Sequence, residues 1–205
     1  MPFRKEIAGG NIFGVLCTVF ASVVINIETE NMKAQQVRLR ALEPEDIVFL
    51  YRWENDPAVW TVSNTITPYS KYVLKKYIES SHLDIYTTKQ QRFVIVHTET
   101  DIPIGTVDLF DFEPSDRRAG LGILIYDEKD RGKGFASQAV DLLLEYCFGT
   151  LGLHQVYCNI FSDNEASLRL FASKGFVRAG VKKEWVRAGN RWKDEVLMQL
   201  INPEG

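Results

Sequence analysis

The sequence predicts an α/β fold in which a mostly antiparallel sheet is covered by helices on both faces. Two kinds of apolar pattern alternate along the chain: short strand-like segments and longer segments with helical spacing. A third observation is a glycine-rich loop that joins an apolar strand to a long helix near the middle of the chain. With 205 residues, 45% of them hydrophobic, the chain is long enough for one well-packed domain.

The first half of the domain predicts a strand, two helices and three more strands. Pro44 suits the first turn of a helix, which the sequence Asn55-Asp56-Pro57 then ends. Ser70 is suitably placed to cap a second helix. Alternating or continuous apolar runs predict strands at residues 37–42, 93–96, 104–112 and 121–126.

The second half predicts two helices and three strands. The helix that follows the glycine-rich loop spans residues 135–151, where apolar positions recur at helical spacing. Asp163 or Asn164 caps a shorter helix that Gly175 closes. The remaining strands are predicted at Gln155–Phe161 and at residues 177–186 and 192–201, the last two joined by a hairpin turn.

The N-terminal segment differs from the rest of the chain. Residues 11–27 are apolar and uncharged, and Arg4 and Lys5 precede them. Three interpretations stay open: a leader or membrane anchor, an extra strand or helix packed on the domain, or sequence upstream of a true translation start at Met32. We favour the third, because periodic domain sequence begins directly after Met32. The chain is therefore divided into an extension, residues 1–36, and a domain, residues 37–205.

Composition narrows the class of function. The formal net charge of −3 argues against a general nucleic-acid binder and suits a cationic acceptor such as an amine. The three cysteines and three histidines have no metal-ligand spacing, so no metal site is expected. Buried, reduced thiols are typical of intracellular proteins, and we expect a cytoplasmic protein that does not associate with membranes.

The glycine-rich loop predicts a phosphate site. It reads Arg131-Gly132-Lys133-Gly134-Phe135-Ala136 and opens a helix, whose first turn has free N–H groups and the positive end of the helix dipole. The glycines let a phosphate approach the backbone, and the two basic side chains add positive charge. The chain lacks the Gly-Lys-Ser/Thr ending of a nucleoside-triphosphate loop and the GxGxxG unit of a dinucleotide site.

The loop matches the R/Q-x-x-G-x-G/A signature of the GNAT acetyltransferase superfamily, which the chain resembles from about residue 37 to residue 201. Residues 163–167 and 174–176 are similar to the superfamily's segment after the fifth strand. Residues 53–57 resemble the acceptor-side helix of the ribosomal-protein and spermidine acetyltransferase branch, and Arg117-Arg118-Ala119 resembles the start of the fourth strand in spermidine enzymes. The resemblance implies the GNAT fold, with strands 4 and 5 splayed apart for CoA.

The resemblance also implies where acetyl-CoA is held. In such enzymes the loop amides bind the CoA pyrophosphate, and the pantetheine lies between the fourth and fifth strands. Asn164 is at the family position that hydrogen-bonds the pantetheine, or it is a plain helix cap, and the two roles are compatible. The residues implied in CoA binding are Leu124, Ile125, Tyr126, Arg131, Gly132, Lys133, Gly134, Phe135, Ala136, Asn164 and Ser167.

The implied reaction is direct attack of a primary amine on the acetyl-CoA carbonyl. The amine must be neutral, so a base or a desolvating site is needed, whereas the CoA thiolate leaves readily. The usual acid and base are missing, since Phe171 replaces a tyrosine and Asn159 and Gly120 replace glutamates. Tyr126, Ser167 or a water held by Asn159 remain, and Tyr126 and Asn159 are the predicted catalytic residues. A CoA-binding regulatory module with little catalysis is the alternative.

Carboxylates on the third strand predict the acceptor side. Asp108 and Asp111 align with glutamates of spermidine acetyltransferases. A carboxylate cluster suits a polyamine, an aminoglycoside or a basic N-terminus, unless these residues form a solvated strand edge. Trp53 is expected either at the entrance of the acceptor site or in the core. The predicted partner is therefore a small-molecule or peptide amine, and a homodimer is left open.

Overall fold

The computed structural model describes residues 35–63, 65–203 and 205. The predicted extension, residues 1–36, lies outside this part of the chain except for Gln35 and Gln36. The predicted domain, residues 37–205, lies within it except for Asn64 and Glu204. Among the described residues, no helix is both long and apolar enough to cross a membrane.

Within this part of the chain, seven strands form one sheet. Their order across the sheet is β1-β2-β3-β4-β5-β7-β6, and only β4 and β5 are parallel neighbours. The mixed, mostly antiparallel sheet predicted from the sequence is therefore confirmed. The strands are β1 (Val37–Arg40), β2 (Gln91–His97), β3 (Pro103–Glu113), β4 (Arg118–Ile125), β5 (Gln155–Phe161), β6 (Val177–Ala188) and β7 (Arg191–Ile201).

The described helices lie between the strands. Single 3-10 turns form at Pro44–Asp46 and Glu128–Asp130, and a π-helical turn forms at Tyr146–Thr150. The α-helices are α1 (Ile47–Glu54), α2 (Pro57–Ser63), α3 (Lys71–Ser80), α4 (Ile85–Thr88), α5 (Phe135–Glu145) and α6 (Glu165–Ser173).

The sequence patterns missed two short helices, α2 and α4. Asp56 and Pro57 end α1 as predicted, but they also begin α2. The Asp56 carboxylate accepts the Ala58 N–H at 2.8 Å, and proline suits a first helical turn. Helix α4 is capped by Asp84, whose carboxylate accepts the Thr87 N–H at 2.9 Å. With four residues it is too short to show a helical period.

Some predicted boundaries were wrong by a few residues. The helix predicted at residues 135–151 is α-helical only to Glu145, and the π-helical turn that follows contains Gly149, a poor helix former. Strand β1 ends at Arg40, because Leu42 turns away to pack in the core with α1. Strand β4 begins three residues early, at Arg118, where it pairs with β5.

The sheet separates two hydrophobic cores. On one face, α1 and α3 pack Leu50 and Ile78 against Val94 of β2. On the opposite face, the adjacent residue Ile95 belongs to the larger core, since side chains alternate along a strand. Helices on both faces are therefore confirmed. Residues of the larger core from the other elements include Val107, Val140, Leu143, Val156, Phe171 and Met198.

Strands β4 and β5 separate after three residue pairs. Residues 118–120 of β4 pair with residues 155–157 of β5. Beyond this point, and among the described strands, β4 pairs with β3 alone and β5 pairs with β7 alone. The predicted splay of strands 4 and 5 is therefore confirmed, and it opens a gap in the middle of the sheet.

Candidate active site

A cavity of about 220 Å³ fills the gap between β4 and β5, and we call it the through-sheet cavity. Its side walls are residues 121–124 of β4 and residues 158–160 of β5. Ser167 and Phe171 of α6 line it from the side of the larger core. On the opposite side of the sheet it is lined by Trp53, Glu54, Val59, Arg92, Thr106 and Asp108. The cavity therefore joins the two faces of the sheet.

The glycine-rich loop enters α5 through a left-handed residue. Gly134 occupies the N-cap position with a φ of +89°, and Gly132 has a φ of +74°. A side chain would strain the backbone at both positions, although neighbouring atoms leave room for one. Among the described residues no side chain caps this helix, so the N–H groups of its first turn stay available to an anion.

The two basic side chains of the loop have different surroundings. The Arg131 guanidinium donates to Ile125 O at 3.0 Å and to Tyr126 O at 2.9 Å, so it ties the loop to the end of β4. Lys133 is 53% exposed at its side chain, and its ammonium group lies 3.4 Å from Asp130 and 5.9 Å from the ring centre of Phe135. Lys133 is therefore the freer of the two charges for contact with a bound anion.

Backbone N–H groups of β4 point into the gap at alternate residues. The Tyr126 N–H donates to Ile104 O of β3 at 3.0 Å. Because hydrogen-bonding directions alternate along a strand, the N–H groups of Ile123 and Ile125 point towards the gap. Of the three residues predicted to meet the pantetheine, Ile125 thus offers an N–H, Leu124 offers its side chain, and the Tyr126 N–H is already bonded.

Tyr126, a predicted catalytic residue, lies beside the cavity and is absent from its walls. Its hydroxyl donates to Asp56 Oδ2 at 2.8 Å, and its ring stacks on Trp53 at 5.1 Å. Burial and the hydrogen bond to Asp56 raise the pKa of the Tyr126 phenol. This side chain braces the start of α2 against the end of β4.

Asn164 caps α6, as one of its two predicted roles required. Its Oδ1 accepts the Ser167 N–H at 3.1 Å, and its own N–H donates to Phe161 O at 2.9 Å. Ser167 lines the through-sheet cavity. The cap therefore holds the first turn of α6 against the gap.

The positions of the family's tyrosine and fourth-strand glutamate are filled by apolar rings. Phe171 is buried, lines the cavity and packs edge-on against Phe176 at 5.1 Å. A Cβ added at Gly120 would lie 2.2 Å from the ring of Phe110. Phe110 thus occupies the space that a glutamate at position 120 would need, and these two positions supply no proton-transfer group.

Asn159 lies on the cavity wall, facing the last hairpin. Its Oδ1 accepts a hydrogen bond from Lys182 Nζ at 3.1 Å. The same ammonium group pairs with Glu195 Oε1 at 2.7 Å, and Glu195 is buried. Asn159 is therefore the first member of a three-residue polar chain that ends inside the protein.

The predicted acceptor side contains a compact ionic cluster. The Arg92 guanidinium pairs with both Asp108 and Glu54, each at 2.5 Å. Burial alone lowers the pKa of Arg92, but Asp108, Tyr77 and Glu54 outweigh it, so the pKa lies above its ordinary value. Asp108 is therefore a half-buried member of an ion cluster, and its interpretation as a solvated strand edge is wrong.

The other two predicted acceptor residues lie in different places. Trp53 is 4% exposed and belongs to a core, yet it also lines the cavity. Asp111 lies outside the cavity walls, in the irregular part of β3 with a φ of +49°, and accepts a hydrogen bond from the Tyr157 hydroxyl at 3.1 Å. Burial, followed by this contact, raises the pKa of Tyr157 to about 12. Asp111 is therefore separated from Asp108 and Trp53.

Residues 22–177 match the model of the acetyltransferase (GNAT) domain. The chain belongs to the GNAT family. This GNAT enzyme is 30% identical over 178 residues to an N-acetyltransferase of Bacillus licheniformis, p20, with 85% of the chain and 98% of the relative covered.

Further relatives of the GNAT enzyme bear on its reaction. It is 28% identical over 166 residues to the spermidine N(1)-acetyltransferase of Vibrio cholerae, covering 81% of the chain and 93% of the relative. A crystal structure of spermidine N-acetyltransferase from Vibrio cholerae in complex with CoA and spermine matches with a TM-score of 0.73 at 27% identity, covering 81% and 95% of the two chains. The enzyme is an acetyl-CoA-dependent N-acetyltransferase, and its acceptor is an amine.

Sequence reasoning about this GNAT enzyme missed Glu54, Arg92, Lys182 and Glu195. Two of the ion pairs that they form join cross-strand neighbours, because Arg92 lies opposite Asp108 and Lys182 lies opposite Glu195. Aligning the predicted strands in register was the signal that could have found both pairs. In the part of the chain that the structure describes, no three His, Cys, Asp or Glu side chains are grouped for a metal ion.

Proposed function

We propose that this enzyme acetylates a primary amine of a small aliphatic polyamine. The observation that carries the proposal is the through-sheet cavity, which has the glycine-rich loop beyond one end of β4 and carboxylates at its opposite side. A donor bound by its phosphates and an acceptor bound by its charge would meet in the middle, between β4 and β5. This arrangement supports transfer by direct contact between the two substrates.

The donor is proposed to lie along the splay. Its pyrophosphate would bind the free N–H groups at the start of α5, with Lys133 beside it. The pantetheine would follow the gap, where the N–H groups of Ile123 and Ile125 are directed. Asn164 and Ser167 at the start of α6 would contact it from the other side.

The acceptor is proposed to bind at the cluster of Glu54, Asp108 and Arg92. Two carboxylates and one guanidinium leave a net charge of −1 at this end of the cavity. The guanidinium uses its donors on the carboxylates, so the remaining carboxylate lone pairs can accept from a substrate ammonium group. Relatives that act on spermidine support a polyamine over the other amines.

The proposed chemistry depends little on a general acid. Phe171 offers no proton to the departing sulfur. A thiolate whose conjugate thiol has a pKa of about 8.5 can leave without being protonated. The amine must instead lose its proton before attack, and this requirement sets the pH dependence. We expect kcat/KM to rise with pH as the amine deprotonates, without the descending limb that an essential tyrosine acid with an ordinary pKa of about 10 would add as it ionises.

A thiol-release assay with acetyl-CoA and a panel of amines tests the proposal. The panel contains spermidine, spermine, an aminoglycoside and a peptide with a free N-terminus. Turnover fastest with the polyamines is expected. Turnover confined to the peptide or the aminoglycoside contradicts the acceptor, and CoA binding in calorimetry without turnover on any amine favours the CoA-binding regulatory module.

Charge-removing variants test the acceptor cluster. Glu54→Gln and Asp108→Asn each bring the net charge of the cluster from −1 to zero, so KM for spermidine should rise about tenfold, equivalent to about 1.4 kcal/mol. KM for acetyl-CoA should not change. Glu79→Gln is the matched control, because Glu79 forms an exposed surface pair with Lys76 on α3. Equal effects of all three substitutions on spermidine would argue against the cluster.

A further inference from the structure

The hydrogen bond between Lys182 and Asn159 fixes which end of the Asn159 amide faces the cavity. A lysine ammonium group can only donate, so the oxygen of the amide must face Nζ, at 3.1 Å. The two Nδ2 hydrogens then point away from Lys182. Asn159 lines the through-sheet cavity, and the described part of the chain contains no hydrogen-bond acceptor paired with its Nδ2. The exposed side chain thus presents its two N–H groups as donors.

Lys182 is itself held in place from two sides. Glu195 accepts from its Nζ at 2.7 Å, and the side chain of Glu195 is only 9% exposed. The ring of Trp185 covers the same ammonium group at 5.1 Å. An ammonium group that is paired with a buried carboxylate and covered by a ring keeps its position, so the amide of Asn159 has one preferred orientation.

We infer that Asn159 donates a hydrogen bond from Nδ2 to the carbonyl oxygen of the acetyl group, and that Lys182 and Glu195 are positioning residues for it. The inference rests on the proposed function, in which the acetyl group lies between β4 and β5. Asn159 occupies the fifth-strand position that carries a glutamate base in some relatives. An amide turned in this direction cannot take a proton from the amine, so Asn159 acts as a hydrogen-bond donor and not as a base.

The step balances with Asn159 keeping both of its protons. The nitrogen lone pair of the neutral amine attacks the carbonyl carbon, and the π electrons move onto the oxygen, where the Nδ2–H group stabilises the developing negative charge. When the carbonyl re-forms, the C–S bond breaks and its electrons leave with the sulfur as CoA thiolate. The amine nitrogen loses one proton to solvent, and the product is the N-acetylated amine.

Substitutions at position 159 separate a donor from a base. Asn159→Asp keeps the size of the side chain but replaces the donor by a carboxylate, and kcat should fall about 100-fold, the loss typical of an oxyanion donor. KM for acetyl-CoA should change little. A base, or a water held for proton removal, would instead gain from the carboxylate, so kcat equal to or above that of the wild type overturns the inference.

Substitutions at position 182 test the positioning role. Lys182→Met removes the group that orients the Asn159 amide. We expect kcat to fall about tenfold while KM for acetyl-CoA stays unchanged. Lys182→Arg keeps a donor and should restore most of the rate. Lys183→Met is the matched control, since the neighbouring Lys183 pairs with Asp194 and makes no recorded contact with Asn159. Equal loss in the Lys182→Met and Lys183→Met variants contradicts the role of Lys182.

A measurement without turnover keeps the two proposals apart. Infrared spectra of acetyl-CoA carrying a ¹³C carbonyl, bound without amine, should show a lower stretching frequency on the wild type than on Asn159→Ala or Lys182→Met. Bound acetyl-CoA with the same frequency on all three proteins overturns this inference and leaves the CoA site standing. Failure of acetyl-CoA to bind the wild type in calorimetry overturns the CoA site and this inference together.

Discussion

At the scale of single residues, the ring of Phe110 occupies the space beside Gly120 that a side chain would need. Gly120 pairs with Phe110 across β3 and β4, and the phenylalanine ring lies over the glycine. Phe110 also contacts Tyr157 edge-on, at 6.0 Å between ring centres. An aromatic contact therefore replaces the carboxylate that the family resemblance led us to look for at position 120.

This contact predicts that Gly120→Ala destabilises the protein. The added Cβ would lie 2.2 Å from the ring of Phe110, and such overpacking costs about 1–3 kcal/mol. Urea unfolding measures the loss. Gly122→Ala is the control on the same strand, because its Cβ would meet only one Phe110 atom, at an ordinary 3.9 Å. Equal stabilities of the two variants would show that the ring moves aside freely.

The buried thiols Cys147 and Cys158 predict a pH dependence of stability. Burial raises the pKa of each from 9.0 to about 12, so the folded protein holds the neutral thiols. Both states are neutral well below pH 9. Between pH 9 and 12 only the unfolded chain ionises, and the free energy of unfolding falls by up to about 1.4 kcal/mol per pH unit for each thiol.

Unfolding in urea at pH 8, 9 and 10 measures this loss. Cys158→Ala removes one of the two ionising groups, so its stability should fall less steeply with pH than that of the wild type. Parallel pH dependences in the two proteins would exclude a contribution from the Cys158 thiol.

At the scale of elements, the loop before α5 combines a left-handed glycine with a proposed function. Gly134 has a φ of +89° at the start of α5, and Gly189 has a φ of +63° in the turn between β6 and β7. Neither position has neighbouring atoms that would exclude a Cβ. The two glycines thus differ in location while sharing a left-handed backbone.

Gly134→Ala should therefore weaken CoA binding in addition to lowering the stability of the protein. An alanine in a left-handed conformation costs about 1–2 kcal/mol, so both Gly134→Ala and Gly189→Ala should lower stability by a similar amount. Calorimetry should show about tenfold weaker CoA binding only for Gly134→Ala, because relief of its strain moves the amides of α5. Unchanged affinity in this variant would contradict a phosphate site at the loop.

At the scale of the whole molecule, both cores of the described residues belong to the predicted domain, residues 37–205. The periodic sequence that follows Met32 predicts that a protein starting there unfolds at the same urea concentration as the full chain and binds CoA equally well. Loss of folding in the shorter protein would contradict our preferred interpretation of residues 1–31.

The sequence predicted the strands and the longer helices in their order along the chain, because hydrophobic periodicity and turn residues are local properties. It missed α2, which is too short for a period, and it did not predict that Asp56 ends one helix and caps the next. The proposed phosphate site was predicted for the same reason, because its loop is continuous in the sequence. Partners that meet only through strand register, such as Arg92 with Asp108 or Lys182 with Glu195, were not local and were missed.

The early separation of β4 from β5 has a consequence for amide hydrogen exchange. Ile123 and Ile125 lie at the centre of a seven-stranded sheet, where exchange is ordinarily slowest, yet their N–H groups face the gap. In the free enzyme these two amides should exchange about as fast as those of a loop, while the neighbouring amide of Leu124 stays protected by β3. Bound acetyl-CoA should slow them, so the most central strand would report the donor's arrival before any product forms.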